Sequence, residues 1–172
     1  MVLTHRGKND VTDSVGLLIS ILVRYPEVST INFDPEHQVL KFNSIVSRIL
    51  DNDEMSALRK QLLDSIEVFN KLEGKVTRLS MVNYQECGSF TMIEIQRDVE
   101  TLVREEIALI VALLREDLES GLVQDDNGSF YEEDLLIQEE IIEHMLESVK
   151  DYAGDKKLFA FREEGRVLVF NK

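Results

Sequence analysis

The sequence predicts an α+β protein in which helices cover one face of a mostly antiparallel β-sheet. Segments with helical spacing of apolar residues alternate with pairs of strand-like segments, in the order αββ, αββ, α, αββ. This order gives three helix-plus-hairpin units and one additional helix. No linker rich in Pro, Gly or Ser separates the units, so we predict a single domain over residues 1–172.

The first unit is predicted from a helix followed by two strands. Asp10 is a suitable cap for a helix that runs to about Arg24, and Pro26 stops it. Residues 28–34 and 39–45 then have the alternating character of a β-hairpin.

The second unit begins at a cluster of acidic residues. Asp51 and Glu54 have the spacing of a capping box, which predicts a helix that ends at Gly74. Residues 75–85 and 89–97 are predicted to form the second hairpin.

The third helix is predicted over residues 98–120. Its main buried face consists of apolar residues at helical spacing: Val99, Val103, Ile107, Ile110 and Leu114. Ala108 and Ala112 lie on the opposite side, where polar residues are expected. We therefore predict that this helix is packed on two sides, either by other elements of the chain or by a second subunit.

The last unit is predicted from a second capping-box pattern, Ser129 and Glu132. The helix extends over residues 130–153, and Gly154 ends it. Residues 157–171 form the final hairpin.

Two segments that predict a hairpin have similar sequences. Residues 33–43 align without gaps with residues 161–171, and six of the eleven positions are identical. Duplication explains this likeness, and so does convergence on favourable hairpin chemistry. We predict that the two Phe pairs, Phe33/Phe42 and Phe161/Phe170, occupy equivalent positions on hairpins at opposite edges of one sheet. His37 aligns with Gly165, where a left-handed backbone is expected.

The charge of the chain is strongly negative and unevenly distributed. The net charge is −14, and residues 98–172 account for −12, with 20 acidic and 8 basic residues. Such a surface repels phosphate backbones and anionic lipids, so we predict no nucleic-acid or membrane binding. A basic partner protein or a cation is compatible with it.

A calcium-type loop is a weak metal candidate. Asp125, Asn127 and Asp134 fall in the register of oxygen ligands, with Gly128 at the turn position. However, Val123 occupies the first ligand position, and Asp134 is shorter than the Glu that usually ends such a loop.

A second weak metal candidate lies on the predicted last helix. Glu140 and His144 have the i,i+4 spacing of metal ligands. Helical geometry places both opposite the buried face, which favours a solvated surface.

Three further residues are noteworthy. Glu106 and Asp117 fall near the buried face of the third helix, where a carboxylate needs a partner or acquires a raised pKa. The single cysteine, Cys87, excludes an internal disulfide, fits a reducing compartment and lacks a neighbouring base that would make it a nucleophile.

These observations favour a non-enzymatic cytoplasmic protein that acts by association, as a homodimer and through a basic partner of its acidic half. No cofactor is predicted. The alternative is a small-molecule- or metal-dependent enzyme whose site is built from scattered carboxylates, with Glu106, Asp117, Asp125 and Asp134 as candidates.

Overall fold

The computed structural model describes residues 8–124, 132–152 and 154–171, with side chains described from residue 13. Within this part of the chain lie four helices and six strands. In chain order they are α1 (Lys8–Arg24), β1 (Thr30–Asp34), β2 (Val39–Val46), α2 (Asn52–Leu72), β3 (Ser80–Cys87), β4 (Phe90–Asp98), α3 (Arg104–Asp117), α4 (Glu132–Val149), β5 (Leu158–Glu163) and β6 (Arg166–Asn171).

The six strands form one antiparallel sheet in the order β3-β4-β2-β1-β5-β6. Each hairpin pairs internally, and the hairpins join through β2–β4 and β1–β5. The predicted α+β class, with helices on a mostly antiparallel sheet, is confirmed.

The core lies between one face of the sheet and the helices. Residues directly opposite each other in the ladders share a face, so the registers assign every strand residue to the helical or to the open side. The helical side carries fully buried apolar side chains: Ile31, Phe33, Leu40, Phe42, Val82, Ile93, Ile95, Leu158 and Ala160.

The helix α1 is the most deeply buried helix of the described chain. It packs on β1, β5 and β6 with one side and on α4 with another. Its fully buried residues include Leu17, Leu18, Ile21 and Leu22. None of the helices in the described part of the chain combines the length and apolar character needed to cross a membrane.

The predicted two-sided packing of α3 is satisfied within the chain. The helix contacts α2 and α4, and its apolar face covers Phe42 of the sheet. Ala108 is half-buried, whereas Ala112 is exposed. Neighbouring elements of the same chain therefore account for Ala108 but not for the exposed Ala112.

Two predicted boundaries differ from the structure for one physical reason. The strand β3 begins at Ser80, and α3 begins at Arg104, several residues later than predicted. The carboxylate of Asp98 accepts hydrogen bonds from the backbone N–H groups of Arg78, Leu79 and Thr101. These bonds fix two irregular segments where strand and helix were expected.

The repeated hairpins have the same internal register but opposite orientations in the sheet. Phe33 lies opposite Leu40, as Phe161 lies opposite Leu168. However, β5 pairs with β1 so that Phe161 lies opposite Thr30, on the open side. The first hairpin is central rather than at an edge, so the predicted placement at opposite edges is wrong.

The turn of the first hairpin also differs from the prediction. The left-handed residue is Gln38, with a φ of 58°, and not His37. In the second copy Glu164 and Gly165 both have positive φ, at 49° and 78°. They form a two-residue connection between Glu163 and Arg166, the I′-like geometry that suits the twist of a hairpin.

The capping box of α2 is confirmed and provides a test of the fold. The Asp51 carboxylate accepts from the Glu54 backbone N–H at 2.8 Å, and the Glu54 side chain accepts from the Asp51 N–H.

Asp51→Ala should lower the free energy of unfolding by about 1 kcal/mol, because an N-terminal amide loses its partner. Asp53→Ala, in the same exposed turn, is the matched control for urea denaturation. An equal loss in both variants would show that the cap contributes nothing specific.

Candidate functional site

The open face of the sheet carries an aromatic patch on β5 and β6. The rings of Phe161 and Phe170 stack with their centroids 5.7 Å apart, and Phe159 lies 5.6 Å from Phe161. Leu168 lies opposite Phe161 on the same face. The Phe170 side chain is 51% exposed. We call Phe159, Phe161, Leu168 and Phe170 the aromatic patch.

The rest of the open face is largely uncharged. Its basic residues are Lys41 and Arg166. Its acidic residues are Asp34, Glu94 and Glu163, with Asp98 at the end of β4 as a fourth. The face is therefore close to neutral, in contrast to the net charge of −14 on the whole chain.

A buried polar network lies under the other end of the sheet, around Arg97. Although Arg97 belongs to β4, its guanidinium is fully buried on the helical side. Its Nε and Nη2 donate to the two oxygens of Glu106 at 2.6 and 2.7 Å. Nη1 donates to Asp98 and to the Leu79 carbonyl, and Nη2 also donates to Thr101. All five N–H donors of the guanidinium are used.

Every oxygen of the two carboxylates in the network likewise accepts at least one hydrogen bond. Glu106 also accepts from Asn70 Nδ2 at 2.8 Å. Burial alone would raise the pKa of Asp98, but hydrogen bonds from Leu79 and Thr101 and the charge of Arg97 outweigh it and lower the pKa. With one cation and two anions, the network carries a buried charge of −1. It holds α2, β3, β4 and α3 together and leaves the guanidinium no donor for a ligand.

A cleft of about 500 Å³ opens beside this network, between the end of α2 and the start of β3. Its lining includes Asn70 of the network together with Glu67, Lys71, Lys75 and Ser80. Its volume is within the range of small-molecule sites. Lys75 also donates to the Thr101 carbonyl at 3.1 Å.

The structure describes three of the five predicted metal candidates. Asp125 and Asn127 lie outside the described residues. Asp134, Glu140 and His144 are exposed on α4, and the predicted outward orientation of Glu140 and His144 agrees with this exposure.

Among the described residues, one group of three has the ligand spacing of a metal site: Asp34, Glu36 and His37. Asp34 accepts from the backbone N–H groups of Glu36 and His37, and His37 Nδ1 lies 2.8 Å from its carboxylate. This is the local bonding of an Asx-type turn, which explains the cluster without an ion.

The two carboxylates predicted near the buried face of α3 behave differently. Glu106 is fully buried and has Arg97 as its partner, as a buried carboxylate requires. Asp117 lies at the other end of α3 and is exposed. Partial burial, together with the charge of Glu116, raises its pKa.

Cys87 is half-buried, with its Sγ 3.9 Å from the Gln85 carbonyl.

Arg97 was not identified from the sequence, although a signal for it exists. It continues the alternation of Ile93 and Ile95, so strand geometry places it on the buried side. A buried Arg requires a carboxylate, and Glu106 follows nine residues later.

Glu139 of the acidic helix α4 forms ion pairs with arginines of two other elements. Glu139 accepts from Arg24 Nε at 3.0 Å and from Arg104 Nη1 at 3.3 Å. These bonds tie α4 to the end of α1 and to the start of α3.

Comparison of the chain with protein families, curated proteins and solved structures finds no match to any of them.

The charge balance of the buried network predicts that substitutions of Arg97 and of Glu106 lower the free energy of unfolding by different amounts. Arg97→Met leaves two carboxylates buried without their cation and should lower the free energy of unfolding by about 3–5 kcal/mol. Glu106→Gln reduces the buried negative charge and should cost only about 1–3 kcal/mol. Urea denaturation measures both. A Glu106→Gln loss as large as that of Arg97→Met would contradict the proposed charge balance.

Asp98 and Asp117 should titrate on opposite sides of the ordinary aspartate pKa of about 3.9. The lowered pKa of Asp98 means that its stabilising effect is present above the unfolded pKa and is lost as pH falls through the folded value. The raised pKa of Asp117 has the opposite sign, so its ionisation lowers stability. Carboxyl-carbon NMR titration measures both groups in one sample. A midpoint for Asp98 at or above that of Asp117 would refute the assignment.

Proposed function

We propose that this protein acts by association, and that its primary partner is a second copy of itself, bound through the open face of the sheet. The observation that carries the proposal is the aromatic patch. It combines three phenylalanines and a leucine on the side of the sheet opposite the helices.

The repeated hairpin explains why the patch is unusual. In the first copy, Phe33 and Phe42 are 0% and 4% exposed and belong to the core. The equivalent Phe161 and Phe170 point to the opposite side, because β5 joins β1 in the reversed orientation. The second copy therefore presents a face with the composition of a core, and burial of such aromatic area is a strong driving force for association.

The charges favour a second copy on this face. Two chains with a net charge of −14 repel each other over most of their surfaces. The open face carries three acidic and two basic residues besides Asp98, so contact there avoids most of this repulsion. Lys41 and Arg166 have the opposite sign to Glu94 and Glu163, which makes the face suitable for pairing with itself.

The dimensions of the face suit a dimer. Six strands about 4.8 Å apart span roughly 24 Å, and strands of five to nine residues are roughly 17–30 Å long. The face therefore covers on the order of 500 Å² in projection. This size is comparable with the roughly 800 Å² of accessible surface that each partner contributes to a standard interface.

Such a dimer leaves α4 free, because α4 lies on the other side of α1. Its exposed acids, including Glu140, Glu143 and Glu147, support a second contact with a basic partner protein.

The single Cys87 supports a reducing compartment such as the cytoplasm. The carboxylates of the enzyme alternative do not support it, since Glu106 is fully buried and paired with Arg97, and Asp117 lies at the far end of α3.

Phe170→Glu tests the dimer directly. The side chain is 51% exposed, so the substitution should leave the monomer folded while it places a charge in the proposed interface. We expect the wild-type chain to have twice the monomer mass at micromolar concentration by light scattering. Phe170→Glu should have the monomer mass with an unchanged circular dichroism spectrum.

Leu72→Glu is the matched control, because Leu72 is 82% exposed at the end of α2, on the helical side. It should remain dimeric. A monomeric wild-type chain would refute the proposal. A dimer that persists in Phe170→Glu would show that association uses another surface.

A further inference from the structure

Two residues that line the cleft between α2 and β3 each carry a polar side-chain atom without a protein partner. Asn70 Oδ1 and Ser80 Oγ are both buried and receive no hydrogen bond. Both residues line the cleft. A buried polar atom left unpaired costs free energy, so a molecule in the cleft that pairs with these atoms gains affinity.

The orientation of the Asn70 amide is fixed by its neighbours. Its Nδ2 donates to the Ile66 carbonyl at 2.8 Å and to Glu106 at 2.8 Å. Both partners are acceptors, so the amide cannot be reversed without opposing oxygens. The unpaired atom is therefore an acceptor, and a ligand must offer it an N–H or O–H group.

The charges of the lining select the ligand further. Lys71 and Lys75 are positive and suit a carboxylate, while Glu67 is negative and suits an ammonium. Lys75 uses one of its three protons on the Thr101 carbonyl and retains two. Leu63 and Val76 add apolar surface for a side chain.

We propose that this cleft binds a free α-amino acid, whose ammonium group faces Asn70 and Glu67 and whose carboxylate faces Lys71 and Lys75. This site is independent of the proposed dimer, because it lies on the helical side of the sheet. The buried network behind it holds Asn70 in place, so the acceptor is preorganised before the ligand arrives.

The experiment screens the twenty common free amino acids, one at a time, by thermal shift of the full chain, followed by calorimetry on those that raise Tm. We expect saturable binding of at least one amino acid. Its N-acetyl amide derivative, which lacks both charges, should bind at least about tenfold more weakly.

Two variants locate the site. Ser80→Ala removes a hydroxyl that has no partner, and Lys71→Met removes an exposed charge, so neither should unfold the protein. Each should raise Kd by about tenfold. Lys60→Met, an exposed substitution on the same helix away from the cleft, should leave Kd unchanged. The proposal is overturned if no amino acid binds saturably, or if binding is unaffected by Ser80→Ala and Lys71→Met.

Discussion

The buried guanidinium of Arg97 is the interaction on which one half of the fold depends. It joins a strand to two helices through Glu106 and Asn70, and it fixes the loop before β3 through Asp98. An apolar residue at this position would leave two buried carboxylates without a cation. A lysine has only three donors and lacks the planar fork that matches Glu106, so it would not replace the arginine. The same network determines where β3 and α3 begin and forms one wall of the cleft.

The other half of the fold depends on how the last hairpin joins the sheet. Pairing of β5 with β1 places Leu158 and Ala160 in the core and directs the aromatic patch outwards. Arg162, on the core side, donates to backbone carbonyls near the end of α1 and locks this orientation. The similarity of the two hairpin sequences therefore does not mean similarity of environment.

Much of the fold was predictable from local signals. The capping box at Asp51, the stop at Gly74 and the alternation of the strands depend on neighbouring residues, and the structure confirms them. The strand order was not predictable, because sequence likeness does not specify which face of a hairpin meets the core. The Arg97 network was missed since its members are separated along the chain, although a charged residue in an apolar alternation was a usable signal. Among the suggested site residues that the structure describes, Glu106 is the one in a buried polar network.

The sheet order also has a consequence for how the chain folds. Thr30 pairs with Phe161, 131 residues later, whereas the Arg97 network spans residues 70–106. Closing the long loop costs more entropy and is slower, so β3, β4, α2 and α3 can assemble before β5 and β6 dock. During synthesis on a ribosome, one edge of β1 stays unpaired until β5 has emerged. The segment that completes the sheet is then also the segment that brings the phenylalanines to the surface, so the aromatic patch forms only after β5 and β6 have joined the sheet.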